Sequence, residues 1–179
     1  MFNYTLEYTS AYAMIIKLFD NRIDKGGNPY IGHLLRVCDG VSKEADSKVA
    51  DMNSTLGLFY KKAEIVALLH DVIEDTDLTT EDLKEAEFDQ EIIDAIDAIS
   101  RRDDEKYYFD FIERVNKNDI ARLVKIHDLE DNMNIMRLST LDDSDLKRVK
   151  KYWYCWKYLK GEISKLECNN IIHPDRKMK

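Results

Sequence analysis

The most informative segment of the sequence lies at residues 67–75 and reads Ala67-Leu68-Leu69-His70-Asp71-Val72-Ile73-Glu74-Asp75. An apolar run leads into His70 and Asp71, and Glu74 and Asp75 follow one helical turn later. Residues four apart lie on nearly the same face of a helix, so the spacing stacks His70 with Glu74 and Asp71 with Asp75. Burying three carboxylates and an imidazole at a helix end is unfavourable without a compensating partner. A divalent cation is one such partner.

The composition indicates the class of protein. A chain of 179 residues fits one domain with its own core, and 44% hydrophobic with 35% charged content is typical of a soluble globular protein. The net charge of −8 argues against nucleic-acid binding through a basic face. A bound cation and a few local Lys or Arg residues can still make one pocket attract an anion. No leader pattern or membrane-spanning apolar run is present, so we expect a cytoplasmic protein without a membrane partner.

The hydrophobic periodicity is helical along nearly the whole chain. It predicts helices at 6–19, from about 30 onward, and at 58–73, 80–87, 91–100, 105–116, 119–138 and 142–166. Residues 47–56 fit either a loop or a short helix. The predicted fold is a single all-α domain, residues 1–168, of about seven or eight helices. A loose polar tail at 169–179 is expected to follow it.

The cysteines and the aromatic residues of the last predicted helix have structural interpretations. The three cysteines show no CxxC spacing, and we expect Cys38 and Cys155 to be buried apolar residues rather than disulfide partners or ligands. The aromatic cluster at 152–158 is expected to pack in the core and between helices rather than to stack on nucleobases.

Two further segments carry candidate ligands. The first is Lys25-Gly26-Gly27-Asn28-Pro29-Tyr30-Ile31-Gly32-His33, in which the proline suits a helix start and the histidine falls one turn later. The second is Lys125-Ile126-His127-Asp128-Leu129-Glu130-Asp131-Asn132-Met133. Two imidazoles with two carboxylates suit a first-row divalent ion such as Mn²⁺, Fe²⁺ or Zn²⁺, and they leave positions for water or a substrate oxygen. The lack of thiolate spacing argues against a structural zinc site.

Together, the three segments resemble the HD phosphohydrolase superfamily. More narrowly, they look like the hydrolase domain of the RelA/SpoT alarmone enzymes and their small single-domain bacterial relatives. The segments occur in the family's order, and the resemblance spans about residues 13–159. It implies a helical HD-domain bundle holding one divalent metal, usually Mn²⁺ in the alarmone branch. The reaction implied is hydrolytic removal of pyrophosphate from the 3′ position of guanosine tetra- or pentaphosphate.

The resemblance also implies a role for each matching residue. The positions of the four metal ligands are occupied by His33, His70, Asp71 and Asp128. The acidic pair that positions or deprotonates the attacking water corresponds to Glu74 and Asp75. The positions that line the nucleotide pocket or contact the nucleotide are Lys25, Tyr30 and Asn132. Arg22 and Arg101 are added as candidate phosphate ligands because an anionic substrate needs cations near an acidic protein's pocket.

The chain departs from the alarmone-hydrolase pattern in two places. The usual Arg-Lys pair before the Gly-x-Pro-Tyr segment is Asp24-Lys25 here. The usual Arg-Leu-His-Asn-Met-Arg-Thr pattern is Leu129-Glu130-Asp131-Asn132-Met133-Asn134-Ile135, which removes two substrate-contacting groups. Both departures resemble the small stand-alone relatives. They leave open whether Asp24, Asn134 and Ile135 abolish alarmone specificity.

Three functions therefore remain open on the sequence. The first is an alarmone pyrophosphohydrolase, the second a nucleotidase or other phosphomonoesterase of the same superfamily, and the third a non-catalytic nucleotide-binding regulatory module. The intact ligand set argues against the third.

Some single residues also have structural interpretations. Asp128 and Asn132 can form an exposed helix face with Lys125 as an intrahelical partner, and His127 is expected to be structural. A homo-oligomer is compatible with all three functions.

Overall fold

The computed structural model describes residues 2–176, and within this range the chain forms ten α-helices and one 3-10 turn, with no β-strand. The helices are α1 (Tyr4–Leu18), α2 (Ile31–Lys48), α3 (Thr55–Leu69), α4 (Val72–Asp75), α5 (Thr80–Glu85), α6 (Gln90–Ile99), α7 (Tyr108–Val115), α8 (Asp119–Met133), α9 (Asp143–Leu159) and α10 (Lys165–Ile172). The 3-10 turn, Ile135–Arg137, lies between α8 and α9. The all-α fold class is confirmed.

The core is built around α3. Residues 63–70 are all buried, and all but Glu64 and His70 are apolar, as expected for a helix enclosed by other helices. It packs against α1, α2, α6 and α8. The end of α3 therefore delivers His70 into the interior, between α2 and α8. None of the helices in residues 2–176 is both long enough and apolar enough to cross a bilayer.

The predicted continuous helix at 58–73 was wrong, because α3 ends at Leu69 and the one-turn helix α4 begins at Val72. The side chain of His70 explains the break. Its Nδ1 lies 2.8 Å from the carbonyl oxygen of Ala67, which a continuing helix would use for the backbone N–H of Asp71. Asp71 adopts φ −105° and ψ 2°, outside helical geometry. This break is what turns the two motif residues toward the same point.

The predicted helix at 119–138 also ends early, at Met133. Asn134 leaves the helical region at φ −72° and ψ 84°, and its side-chain oxygen accepts the backbone N–H of Met136. Asparagine favours such local side-chain to backbone bonds over helix continuation. The 3-10 turn that follows carries Arg137 back toward the loop before α2.

The predicted helix at 142–166 ends at Leu159, because Gly161 takes a left-handed conformation with φ 75°. The backbone N–H groups of Gly161 and Glu162 donate to the carbonyls of Tyr158 and Lys157, which is the Schellman arrangement of a helix end.

The loose tail predicted from residue 169 was wrong for residues 169–172, which belong to α10, where Cys168 and Asn169 are fully buried. The predicted tail also includes residues 177–179, which lie outside the described residues. The expected seven or eight helices become ten because the helix predicted at 58–73 divides into α3 and α4, and because α10 was not expected.

Several local predictions are confirmed. The helices predicted at 80–87 and from about 30 onward are present as α5 and α2. Thr79 and Asp82 form a capping box before α5, and Tyr30 precedes the first turn of α2. Cys38 and Cys155 are buried and free. The aromatic cluster packs mostly between helices, although Trp153 is 46% exposed and stacks on Trp156 with ring centroids 5.3 Å apart.

Candidate metal centre

Three separate parts of the fold bring two imidazoles and two carboxylates to one point. His33 comes from the first turn of α2, His70 and Asp71 from the break between α3 and α4, and Asp128 from α8. The Nε2 atom of His33 lies 3.7 Å from Asp71 Oδ2 and 3.2 Å from Asp128 Oδ1. The Nε2 atom of His70 lies 3.1 Å and 3.6 Å from the same two oxygens. One donor atom each from His33, His70 and Asp71 lies within 4.8 Å of the others.

The second nitrogen of each imidazole fixes the orientation of its ring. His33 Nδ1 is 2.7 Å from Asp131 Oδ2, and His70 Nδ1 is 2.8 Å from the Ala67 carbonyl. We assign the N–H to Nδ1 in both rings, because a carbonyl and a carboxylate only accept hydrogen bonds. Both Nε2 lone pairs then face the carboxylates. His70 Nε2 is buried and has no hydrogen-bond partner in the described chain, so these residues fit a divalent cation.

Other side chains hold the two carboxylates in place. Tyr30 donates its hydroxyl to Asp71 Oδ2 at 2.6 Å. Lys125 Nζ lies 2.7 Å from Asp128 Oδ2, and Asn132 donates to Asp128 Oδ1 at 2.5 Å. Asp128 is only 3% exposed, so the alternative of an exposed helix face is wrong. Lys125 is the intrahelical partner of Asp128, but it is buried with it.

The charges in this cluster are strongly interdependent. Burial disfavours the imidazolium forms of His33 and His70, yet the neighbouring aspartates outweigh burial and raise the pKa of both residues. Burial also disfavours the carboxylate of Asp128, but Lys125 and the two imidazoles hold its pKa well below the usual range. Positive charge is therefore required among these acids. Either protons or a metal ion can supply it.

The acidic pair of α4 lies on the open side of this cluster. Glu74 Oε1 accepts the backbone N–H of Arg101 at 2.7 Å, and Asp75 Oδ1 is 4.0 Å from Arg22 Nη1. Burial raises the pKa of both carboxyls, and the charge of Asp71 adds to the shift in each. Arg22, Glu74 and Asp75 line a common open cavity of about 760 Å³. A carboxylate with a raised pKa is a better proton acceptor near neutral pH.

A second, more enclosed cavity of about 240 Å³ adjoins His33. It is lined by Ile23, Asp24, Lys25, Tyr30, His33, Asn132, Arg137, Leu138, Arg148 and Tyr152. Three of these side chains are cations, although the whole chain is acidic. Aspartates pair with all three: Asp145 lies 4.0 Å from Lys25 and 2.7 Å from Arg148, and Asp24 lies 2.9 Å from Arg137. An anionic ligand bound here, beside the candidate metal centre, would share these cations with the aspartates.

Sequence reasoning missed several residues that support this centre. Asp131 orients His33, and it also accepts the Nε–H of Arg36 at 2.7 Å. Burial alone would raise the pKa of Asp131, but hydrogen bonds from His33 and Arg36 lower it to about 2. A usable signal was present: Arg36 follows His33, and Asp131 follows Asp128, by three residues on facing helices. Arg137, Arg148 and Tyr152 had no comparable signal, because they come from segments outside the motifs.

Asp24, one of the departures from the alarmone pattern, organises the loop before α2. Its Oδ1 accepts the backbone N–H groups of Gly26 and Asn28 at 2.8 and 2.9 Å, and its Oδ2 accepts Arg137 Nη1 at 2.9 Å. A Cβ added at Gly26 would lie 2.3 Å from the Arg137 carbonyl oxygen, so only glycine fits there. The loop and the 3-10 turn are therefore one connected wall of the smaller cavity.

Two candidate substrate residues do not contact the ligand cluster. Lys25 lines the smaller cavity with a side chain that is 68% exposed, and its Nζ lies 4.0 Å from Asp145. Arg101 reaches the acidic pair through its backbone, while its guanidinium lies over the ring of Tyr108 at 5.7 Å. His127 is structural, bridging Glu44 and Glu130 at 3.1 and 3.0 Å.

Comparison with known proteins identifies a solved structure with a similar fold. No protein-family model matches the chain, and no curated protein matches its sequence. Among solved structures, the chain is similar to a metazoan ortholog of SpoT that hydrolyses ppGpp and plays a role in starvation responses. The identity is 19%, the match covers 94% of this chain and 95% of that chain, and the TM-score is 0.68. The chain therefore has the fold of this SpoT ortholog, as its three motifs predicted.

Proposed function

We propose that this chain is a divalent-metal-dependent phosphohydrolase acting on a nucleotide, with guanosine 3′,5′-bis(diphosphate) as the leading substrate. The observation that carries the proposal is the convergence of His33, His70, Asp71 and Asp128 on one point beside a cavity lined by cations. The structural similarity to a ppGpp-hydrolysing protein supports it. The proposed ion is Mn²⁺, with Fe²⁺ and Zn²⁺ as chemically suitable alternatives.

Each side chain has a defined task in the proposed reaction. A cation held by the four candidate ligands would supply Lewis acidity, lowering the pKa of a water molecule and neutralising charge on phosphate oxygens. A carboxylate oxygen of Glu74 or Asp75 accepts the proton of the attacking water. Tyr30 and Asn132 keep the two aspartates oriented through their hydrogen bonds at 2.6 and 2.5 Å.

The smaller cavity is the proposed nucleotide pocket. Lys25, Arg137 and Arg148 supply charge for phosphate groups, and Tyr152 supplies an aromatic wall. At about 240 Å³ this cavity is smaller than most ligand pockets, which range from about 300 to 1,000 Å³. It would hold part of a nucleotide, while the scissile phosphate lies at the metal centre. Arg22 and Arg101 remain proposed phosphate ligands on the open side.

A second candidate is a nucleotidase or another phosphomonoesterase with the same centre. The observation that favours it is the loss of two usual substrate contacts at Asn134 and Ile135. In this chain the Asn134 side chain binds the backbone of Met136, and Ile135 is 38% exposed.

One assay separates the two candidates. The Mn²⁺-loaded protein is incubated with a panel of guanosine and adenosine nucleotides, and pyrophosphate and orthophosphate are measured separately. We expect pyrophosphate from guanosine 3′,5′-bis(diphosphate), and none after chelation of the metal. Orthophosphate release would favour the phosphomonoesterase. No turnover of any nucleotide, with metal bound, would contradict both.

A further inference from the structure

One side chain clamps the loop that joins α6 to α7. The guanidinium of Arg114, on α7, donates through Nη1 to the carbonyls of Asp97 and Ala98 at 2.8 and 2.9 Å. Through Nη2 it donates to the carbonyl of Ser100 at 2.7 Å. Its Nε and Nη2 also bind the two carboxylate oxygens of Glu105 at 2.9 and 3.0 Å. The two ends of the loop are thus tied to the same group.

These contacts use all five N–H donors of the guanidinium. The Arg114 side chain is only 19% exposed, so the contacts are partly shielded from water. Glu105 extends the clamp by accepting the backbone N–H of Arg102 at 2.9 Å. A lysine could not reproduce this geometry, because its ammonium is a single point of donation rather than a planar fork.

The clamped loop contacts the acidic pair at one point. Arg101 lies between the two ends that Arg114 holds, and its backbone N–H donates to Glu74 Oε1 at 2.7 Å. Glu74 sits in a helix of only four residues, α4, which gives it little support of its own. The orientation of its carboxylate therefore depends on where the loop presents this N–H.

We propose that Arg114 is a positioning residue for Glu74, acting through the backbone of Arg101. The inference rests on the proposed function, in which Glu74 receives the proton of the attacking water. Misplacing a catalytic group by about 1 Å costs on the order of a hundredfold in rate, whereas substrate binding elsewhere in the site is retained. Arg114 should therefore affect kcat far more than KM.

The test compares Arg114→Lys with the wild-type protein, both loaded with Mn²⁺. The matched control is Arg122→Lys, which makes the same exchange where the guanidinium pairs with Asp119 at 2.8 Å on the exposed first turn of α8. In Arg114→Lys we expect amide hydrogen exchange of Arg101, followed by NMR, to be at least about tenfold faster. We expect kcat to fall about tenfold to a hundredfold, with KM within about threefold and the metal content unchanged. The control should change none of these quantities.

Glu105→Gln provides a milder variant, because it keeps the contacts of Arg114 with backbone carbonyls and removes the charge and one of the two accepting oxygens of the bidentate pair. It should shift Arg101 exchange and kcat in the same direction by a smaller factor. Unchanged Arg101 exchange or unchanged kcat in Arg114→Lys would overturn the inference, as would a parallel loss of metal, KM and kcat. If the wild-type protein hydrolyses no nucleotide, the proposed function fails, and the Arg101 exchange still decides whether Arg114 holds this amide.

Discussion

The imidazole of His70 uses its two nitrogens for different purposes. Nδ1 binds the carbonyl of Ala67 and ends α3, while the buried Nε2 faces Asp71 and Asp128. Because one side chain ends the helix and points at the cluster, His70 and Asp71 can both reach the same point although they are adjacent in sequence. In an unbroken helix their side chains would point about 100° apart.

Removing the carboxylate of Asp71 and removing that of Glu74 should have different effects on metal binding and turnover. Glu74→Ala should keep the metal and lower kcat by about 10²–10⁴, the usual contribution of a general base. Asp71→Ala should lose both metal and turnover, because it removes a candidate ligand. Metal content by elemental analysis and single-turnover kinetics measure the two effects. Full activity in both variants would show that the roles are assigned wrongly.

A substitution at Asp131 tests whether the residue that orients His33 contributes to metal binding. Asp131→Asn should weaken Mn²⁺ binding by about tenfold to a hundredfold, because the carboxylate that orients His33 is lost. Glu130→Gln is the matched control, since Glu130 binds His127 and Trp156 instead. Isothermal titration with Mn²⁺ compares the two variants. Equal affinities would mean that Asp131 does not support the centre.

Most of the helices could be predicted from hydrophobic periodicity and from capping residues. The apolar spacing locates α1, α2, α6 and α8, and the capping box of Thr79 marks α5. The interruptions could not be predicted in the same way, because the apolar pattern continues through residues 67–73 while a side-chain hydrogen bond ends the helix. The end of α9 could have been predicted from Gly161, because glycine commonly follows the last residues of a helix.

The candidate site could likewise be predicted only in part, because sequence spacing indicates contacts within a motif but not contacts between distant segments. Residues within the three motifs could be recognised from their spacing, and the structure brings His33, His70, Asp71 and Asp128 together. Arg114 and Arg137 could not be recognised, because their partners are backbone carbonyls and acids that are distant in sequence. Such contacts exist only after the helices have packed.

The packing of helix α10 against the core can be tested with the same Asn→Asp substitution at two adjacent positions. Asn169 is fully buried and Asn170 is exposed, so Asn169→Asp buries a carboxylate whereas Asn170→Asp does not. We expect Asn169→Asp to lower the free energy of unfolding by about 3 kcal/mol at pH 7. Asn170→Asp should change it by less than about 0.5 kcal/mol. Urea denaturation measures both, and equal effects would mean that this segment is a loose tail after all.

Across the molecule, the cations that line the smaller cavity are paired with aspartates in an otherwise acidic chain. The net charge is −8, yet Lys25, Arg137 and Arg148 line the smaller cavity. The metal centre follows the same logic, because its aspartates require a cation or protons. The aspartates raise the pKa of His33 and His70, so protons and metal compete for the same nitrogens.

This competition predicts how metal binding depends on pH. Lowering the pH through the raised imidazole pKa values protonates His33 and His70, and the apparent affinity for Mn²⁺ should fall. Raising the pH should strengthen binding until both rings are neutral. Calorimetric titration in two buffers of different ionisation enthalpy should show net proton release when Mn²⁺ binds. Binding without proton release, at a pH below those pKa values, would exclude these histidines as ligands.

The number of Mn²⁺ ions bound tightly per chain, measured by electron paramagnetic resonance, tests whether the three segments form one metal centre. We compare the wild-type protein with His33→Ala, Asp71→Ala and Asp128→Ala, one variant for each contributing segment. We expect one ion per chain in the wild-type protein and loss of that ion in each folded variant. Tight binding that persists when any one segment is altered, or its absence from the wild-type protein, would contradict a single shared centre.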